Sequence, residues 1–180
     1  MTMKTTTDWM LKILYILSWI IFTGVCIEAG SFISNGFFTL VINPINAKYY
    51  HLSSLYEYDP GYFFVVILLM TIVGIMRAIM FYLIVKLLHD KKLNISQPFN
   101  KELGRFIFNV SYLSFGIGLF SYWGVKYTEW LVKQSVKMPD IQFLRLGGAD
   151  VWLFMGVTLF VIAQIFKRGI EIQTENDLTV

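Results

Sequence analysis

Charge is what this sequence has least of. Asp, Glu, Lys and Arg make up only 15% of its 180 residues, against 56% apolar. Soluble domains run at roughly 25% charged and about 45–50% apolar, so a water-soluble globule of this composition would expose too much apolar surface. The mean hydropathy of +0.60 agrees, and the bilayer is the natural solvent. A single cysteine, Cys26, excludes an internal disulfide and any thiolate-rich metal site. The two histidines, His51 and His89, fall in different loops with no carboxylate at metal-ligand spacing, so neither a metal nor another cofactor is expected. Also missing are a histidine–carboxylate cluster, a nucleophile with its base, and a phosphate-cradling glycine loop. HDKK at 89–92 lacks a second acid and is the basic flank of a helix. The chain is therefore expected to be no enzyme. Its basic residues are scattered without a folded module to present them, which argues against direct nucleic-acid binding.

What is present is long apolar runs. A helix needs about 20 residues to span the hydrocarbon core, and four stretches qualify, at about 9–30, 60–88, 103–125 and 150–168. No small-x-small cleavage site follows the first, which reads as a retained helix. The expected fold is all-α: a single integral-membrane bundle of four transmembrane helices, with a short tail at 169–180. Lys4, Lys12, Lys86, Lys91, Lys92, Lys101, Arg105, Lys167 and Arg168 collect on one side; Lys48, Lys126, Lys133, Lys137 and Arg145 collect on the other. That bias of nine to five puts both termini in the cytoplasm.

Two loops face out, an aromatic one at roughly 31–59 and a second at roughly 126–150. Glu129 and Lys133 favour continuation of the third helix toward Pro139. In the cytoplasmic loop Asn100 is the expected N-cap of that helix. Arg77, near the middle of the second helix, costs about 2.5–3.5 kcal/mol to insert and must face protein or water. The preferred reading is a buried clamp to Gln164 and Asn109; the functional one is an anion, headgroup or proton site. Glu28 is expected to face the outer headgroups or Lys48. Ser111, Ser114, Gly118 and Ser121 share one face of the third helix, and Gly74, Ala78, Gly156 and Ala163 offer small surfaces elsewhere. Such residues let helices approach closely in lipid.

The chain closes with IFKRGIEIQTENDLTV at 165–180. Lys167 and Arg168 suit both the cytoplasmic side and the helix dipole, so the last helix is expected to end near Phe166. The acidic residues Glu171, Glu175 and Asp177 would be repelled by anionic lipid and project into the cytosol. This closing segment resembles that of an uncharacterised bacterial membrane family, domain of unknown function 2975. Phe166, Lys167, Arg168, Gly169, Glu171, Gln173, Glu175, Asp177, Leu178, Thr179 and Val180 fit its signature, and the Pro98-Phe99 turn resembles its second recurrent element. The resemblance implies a four-helix protein of the bacterial cytoplasmic (inner) membrane without an established activity. Its members are often encoded beside a small helix-turn-helix regulator, which implies a cytosolic partner. Pro98, Phe99, Lys167, Arg168, Glu171, Glu175 and Asp177 would form the docking surface. The leading expectation is thus a non-enzymatic regulatory or interaction protein that contacts membrane lipids and such a partner. Also open are a small-solute or ion transporter using Arg77, Asn109 and Gln164, a toxin-immunity protein, and a homo-oligomer.

Overall fold

The computed structural model describes residues 2–90 and 100–177, with side chains over 9–90 and 100–175. The chain runs through α1 (Thr2–Val41), a 3-10 turn (Pro44–Tyr50), α2 (Ser53–Tyr58), α3 (Pro60–His89), α4 (Lys101–Lys133) and α5 (Ala149–Asp177). Four of these helices, α1, α3, α4 and α5, are long and apolar enough to cross a membrane. Local chemistry sets their starts. Asp59 accepts hydrogen bonds from the amides of Gly61 and Tyr62 at 2.7 and 3.0 Å, with Pro60 in the first turn of α3. Asn100 caps α4, accepting from the Leu103 amide at 2.7 Å as its sequence position predicts.

Two helix ends differ from expectation: α1 continues from Gly30 to Val41 and α5 runs past Phe166 to Asp177, while α4 runs on to Lys133 as the Glu129 and Lys133 spacing predicts. Leaving the hydrocarbon does not end a helix. Apart from Gly36 and Gly169, those stretches carry no Gly or Pro, and neither of these glycines is followed by a proline that would stop the turn.

The helices pack in a row. α1 lies on α3, α3 on α4 and α4 on α5, while among the described residues no close backbone approach joins α1 to α4 or α5, or α3 to α5. The expected four-helix bundle is therefore a row open along one side, and in lipid no hydrophobic force requires it to close. The less exposed positions of α1 step by four and three from Leu11 through Tyr15, Ser18, Phe22, Val25, Ala29, Phe32 and Gly36 to Thr39. That is the spacing of a left-handed helix pair. At its centre the Ala29 methyl and the Phe32 ring lie 3.3 Å from the point where a side chain on Gly74 would begin. The small face of α4 is fully covered, as its spacing predicts: Ser111, Ser114 and Ser121 are buried, and Ser111 Oγ donates to the Gly156 carbonyl of α5 at 2.9 Å.

α5 is offset along α4. Leu153, near its start, packs on Gly118, halfway along α4, and Ile170 packs on Gly104 near the beginning of α4. The upper half of α4 is covered instead by residues 134–148, whose Leu144 and Leu146 are completely buried beside Leu131. Leu52 and Leu55 from the first loop join Phe63, Val66 and Met70 of α3 in the same core. The two loops thus fold down over one end of the row, here the loop face; the opposite end is the tail face. Counting about 20 residues from the tail-face cations Lys12, Lys86, Arg105 and Lys167 puts the other membrane boundary near positions 32, 66, 125 and 147. α1 then projects about 14 Å beyond it, at 1.5 Å per residue.

Candidate functional site

Just inside that boundary a cleft of about 730 Å³ opens between α1, the 3-10 turn and the loop before α5. Gly24, Ile27, Glu28 and Ser31 form its helical wall; the spacing i, i+3, i+4, i+7 puts them on one face. Tyr49 and Tyr50 come from the 3-10 turn, and Asp140, Gln142, Phe143 and Arg145 from the loop. Arg145 Nε stands 2.7 Å from Glu28 Oε1, with the two side chains 58% and 29% exposed. Glu28 therefore faces Arg145, not Lys48 or free headgroups, because the loop folds down to its level.

The loop is shaped to deliver that arginine. Asp140 Oδ1 accepts from the Gln142 amide at 2.7 Å and tightens the turn. Arg145 itself has φ 59°, a left-handed conformation that non-glycine residues seldom adopt. Gly148, three residues on, has φ 79° and starts the turn into α5. Leu144 and Leu146 are buried on either side, so the strained backbone at Arg145 is held between two anchors while its side chain reaches the cleft. Strain held in place by packing is a recognised mark of functional positions.

Across the cleft Ser31 Oγ donates to the Glu28 carbonyl at 2.7 Å. A serine hydroxyl has one proton, so the 2.7 Å contact between Ser31 Oγ and Tyr50 Oη is donated by the tyrosine. Tyr50 is buried against Phe32, with ring centroids 5.5 Å apart. Burial pushes its phenol above the ordinary tyrosine value, and its contacts with the Ser31 and Asn35 side chains only partly oppose this.

Arg77 lies beneath this cleft. Its guanidinium sits over the Trp152 ring at 5.5 Å, and its Nε is buried with no hydrogen-bond partner. Among the described residues no hydrogen bond joins it to Asn109 or Gln164, so the expected clamp is not formed. Helical side chains lean toward the N-terminus of their helix, which carries Arg77 up to the start of α5. Gln164 lies twelve residues further along α5, about 18 Å away at 1.5 Å per residue, and is exposed. Asn109 is exposed in a separate tail-face cleft with Lys86, Glu102 and Arg105. The charged groups that do act on Arg77 through space are Glu28 and Arg145.

Of the expected docking surface, Lys167, Arg168 and Glu175 are exposed on α5. Arg168 Nη1 donates to Glu171 Oε2 at 3.1 Å. Asp177 closes the helix, its side chain outside the described part, and Pro98, Phe99 and Leu178 to Val180 lie outside the described residues. Sequence reasoning missed Arg145 and the cleft. One signal was available, a lone arginine set between two leucines and a Gly-Gly pair. No group of His, Cys, Asp and Glu suited to a metal occurs among the described residues.

No curated protein and no solved structure matches the chain. Residues 47–180 match a family described as Protein of unknown function (DUF2975). The match takes in most of the loop-face cap, α3, α4 and α5. The chain is a multi-pass membrane protein that belongs to this family.

Proposed function

We propose that this protein is a non-enzymatic regulatory or interaction protein of the bacterial cytoplasmic membrane, with both termini in the cytosol and a soluble partner on its tail face. The observation that carries the reading is the form of the tail. α5 is one helix from Ala149 to Asp177, about 43 Å long at 1.5 Å per residue. Its last turns are seated by Ile170 against Gly104 of α4. Ile172 is exposed beside Lys167, Arg168 and Glu175. A preformed helical end costs less order on binding than a disordered tail would. The same helix begins at the loop bearing Arg145, so one rigid element connects the outer cleft to the docking surface. The partner favoured by the family resemblance is a small helix-turn-helix regulator. A solute path would need a line of polar groups, and Arg77, Asn109 and Gln164 stand apart.

The test is affinity recovery of the gently solubilised full chain from its native cell, beside Ile172→Ser/Glu175→Lys and a form cut after Arg168. The double variant alters only exposed positions, whereas the cut also removes the Ile170 seat. A soluble DNA-binding protein that follows the intact chain and is lost about tenfold from the double variant supports the proposal. Equal recovery from all three forms, or no such protein with any, refutes it.

A further inference from the structure

We propose that the Glu28–Arg145 cleft holds the headgroup and upper acyl chain of one zwitterionic phospholipid. The polarity of the cleft is graded. Gly24 and Ile27 lie toward the membrane and are exposed, whereas Glu28, Arg145 and Asp140 lie at the loop end. From Gly24 to Ser31 the helix rises about 10 Å, so the charged end meets the headgroup layer while the apolar end stays among acyl chains. At Gly24 a side chain would meet no atom within 4 Å, so the deep end is open for a chain to enter. Tyr49 and Phe143 supply ring surfaces at the mouth, suited to an ammonium group.

The ion pair selects the headgroup. Arg145 and Glu28 face each other across the cleft at 2.7 Å, close to the hydrocarbon, where an unpaired charge is costly. An anionic lipid that took Arg145 would leave Glu28 uncompensated. A simple cation taking Glu28 would leave Arg145 so. A zwitterion exchanges both at once, phosphate onto the guanidinium and ammonium onto Glu28, with Asp140 beside it. The guanidinium is also the side chain best matched to a phosphate.

The experiment is native mass spectrometry of the purified full chain released from detergent containing equal phosphatidylethanolamine and phosphatidylglycerol. It needs no protein partner, so its outcome is independent of the tail's role. The wild type is expected to retain one phosphatidylethanolamine, in about tenfold preference over phosphatidylglycerol. Glu28→Gln should reverse the preference, because it frees Arg145 for an anion. Arg145→Gln should lose the retained lipid. Gly24→Trp, which fills the deep end without touching the charges, should lose it too with the thermal midpoint unchanged. Equal retention of both lipids by the wild type means ordinary solvating lipid and overturns the proposal. So does a Gly24→Trp protein that keeps its adduct, or a Glu28→Gln protein with the wild-type preference.

Discussion

Two glycines on α4, two residues apart, should respond in opposite ways to the same added methyl group. At Gly118 a Cβ would stand 2.7 Å from Leu153 Cγ and 3.1 Å from the Leu153 backbone nitrogen. The backbone of α5 cannot turn aside, so Gly118→Ala must push α5 off its seat. Overpacking of this kind costs about 1–3 kcal/mol, and a helical alanine returns about 0.5–1 kcal/mol over glycine. The net expectation is a loss of about 1–2 kcal/mol. At Gly116 the nearest atom is closer still, the terminal methyl of Met76. That methyl ends a chain of three rotatable bonds and can swing away. The propensity gain then dominates, and Gly116→Ala should be neutral or more stable by up to about 1 kcal/mol. The two variants should thus differ by about 2 kcal/mol, roughly a thirtyfold difference in folding equilibrium. The assay is reversible unfolding of the full chain by sodium dodecyl sulfate in mixed micelles, followed by tryptophan fluorescence and far-ultraviolet circular dichroism. Equal destabilisation by both, or a neutral Gly118→Ala, would refute the reasoning, since nearest distance and not the rigidity of the contacted atom would then govern the outcome.

Ser111→Ala removes the hydrogen bond from α4 to the Gly156 carbonyl and should cost about 0.6 kcal/mol, at most about 1.7, as for other hydrogen bonds between membrane helices; the same unfolding titration reads it. Tyr50 gives a pH dependence at the loop face. Its folded-state pKa is raised by burial, so its contribution is complete below the unfolded value of about 10 and is lost as pH rises through the folded value. Thermal midpoints should therefore fall at strongly alkaline pH, and Tyr50→Phe should flatten that part of the profile. An unchanged alkaline slope in Tyr50→Phe would remove Tyr50 as its cause.

Much of the architecture was legible in the linear sequence because it rests on local or one-dimensional physics. Four apolar stretches fail to dissolve in water whatever they pack against, and an asparagine before a helix caps it by its own side chain. The serine and glycine face of α4 was readable because small residues stand out on an otherwise bulky helix. The face of α1 was not: the helix is apolar all round, so no contrast marks the positions that meet α3 from those that meet lipid. The offset of α5 was also hidden, since it follows from where Leu153 and Ile170 find glycines on α4. That offset separates Arg77 from Gln164. It also brings residues 134–148 down onto the membrane boundary. The Glu28–Arg145 pair spans more than a hundred residues of chain and exists only because that loop has no helix to occupy its place. The sequence alone determined which segments enter the membrane, since that is a partition between two solvents. Only the tertiary structure decided which charges meet there, since that depends on how far one helix slides along another.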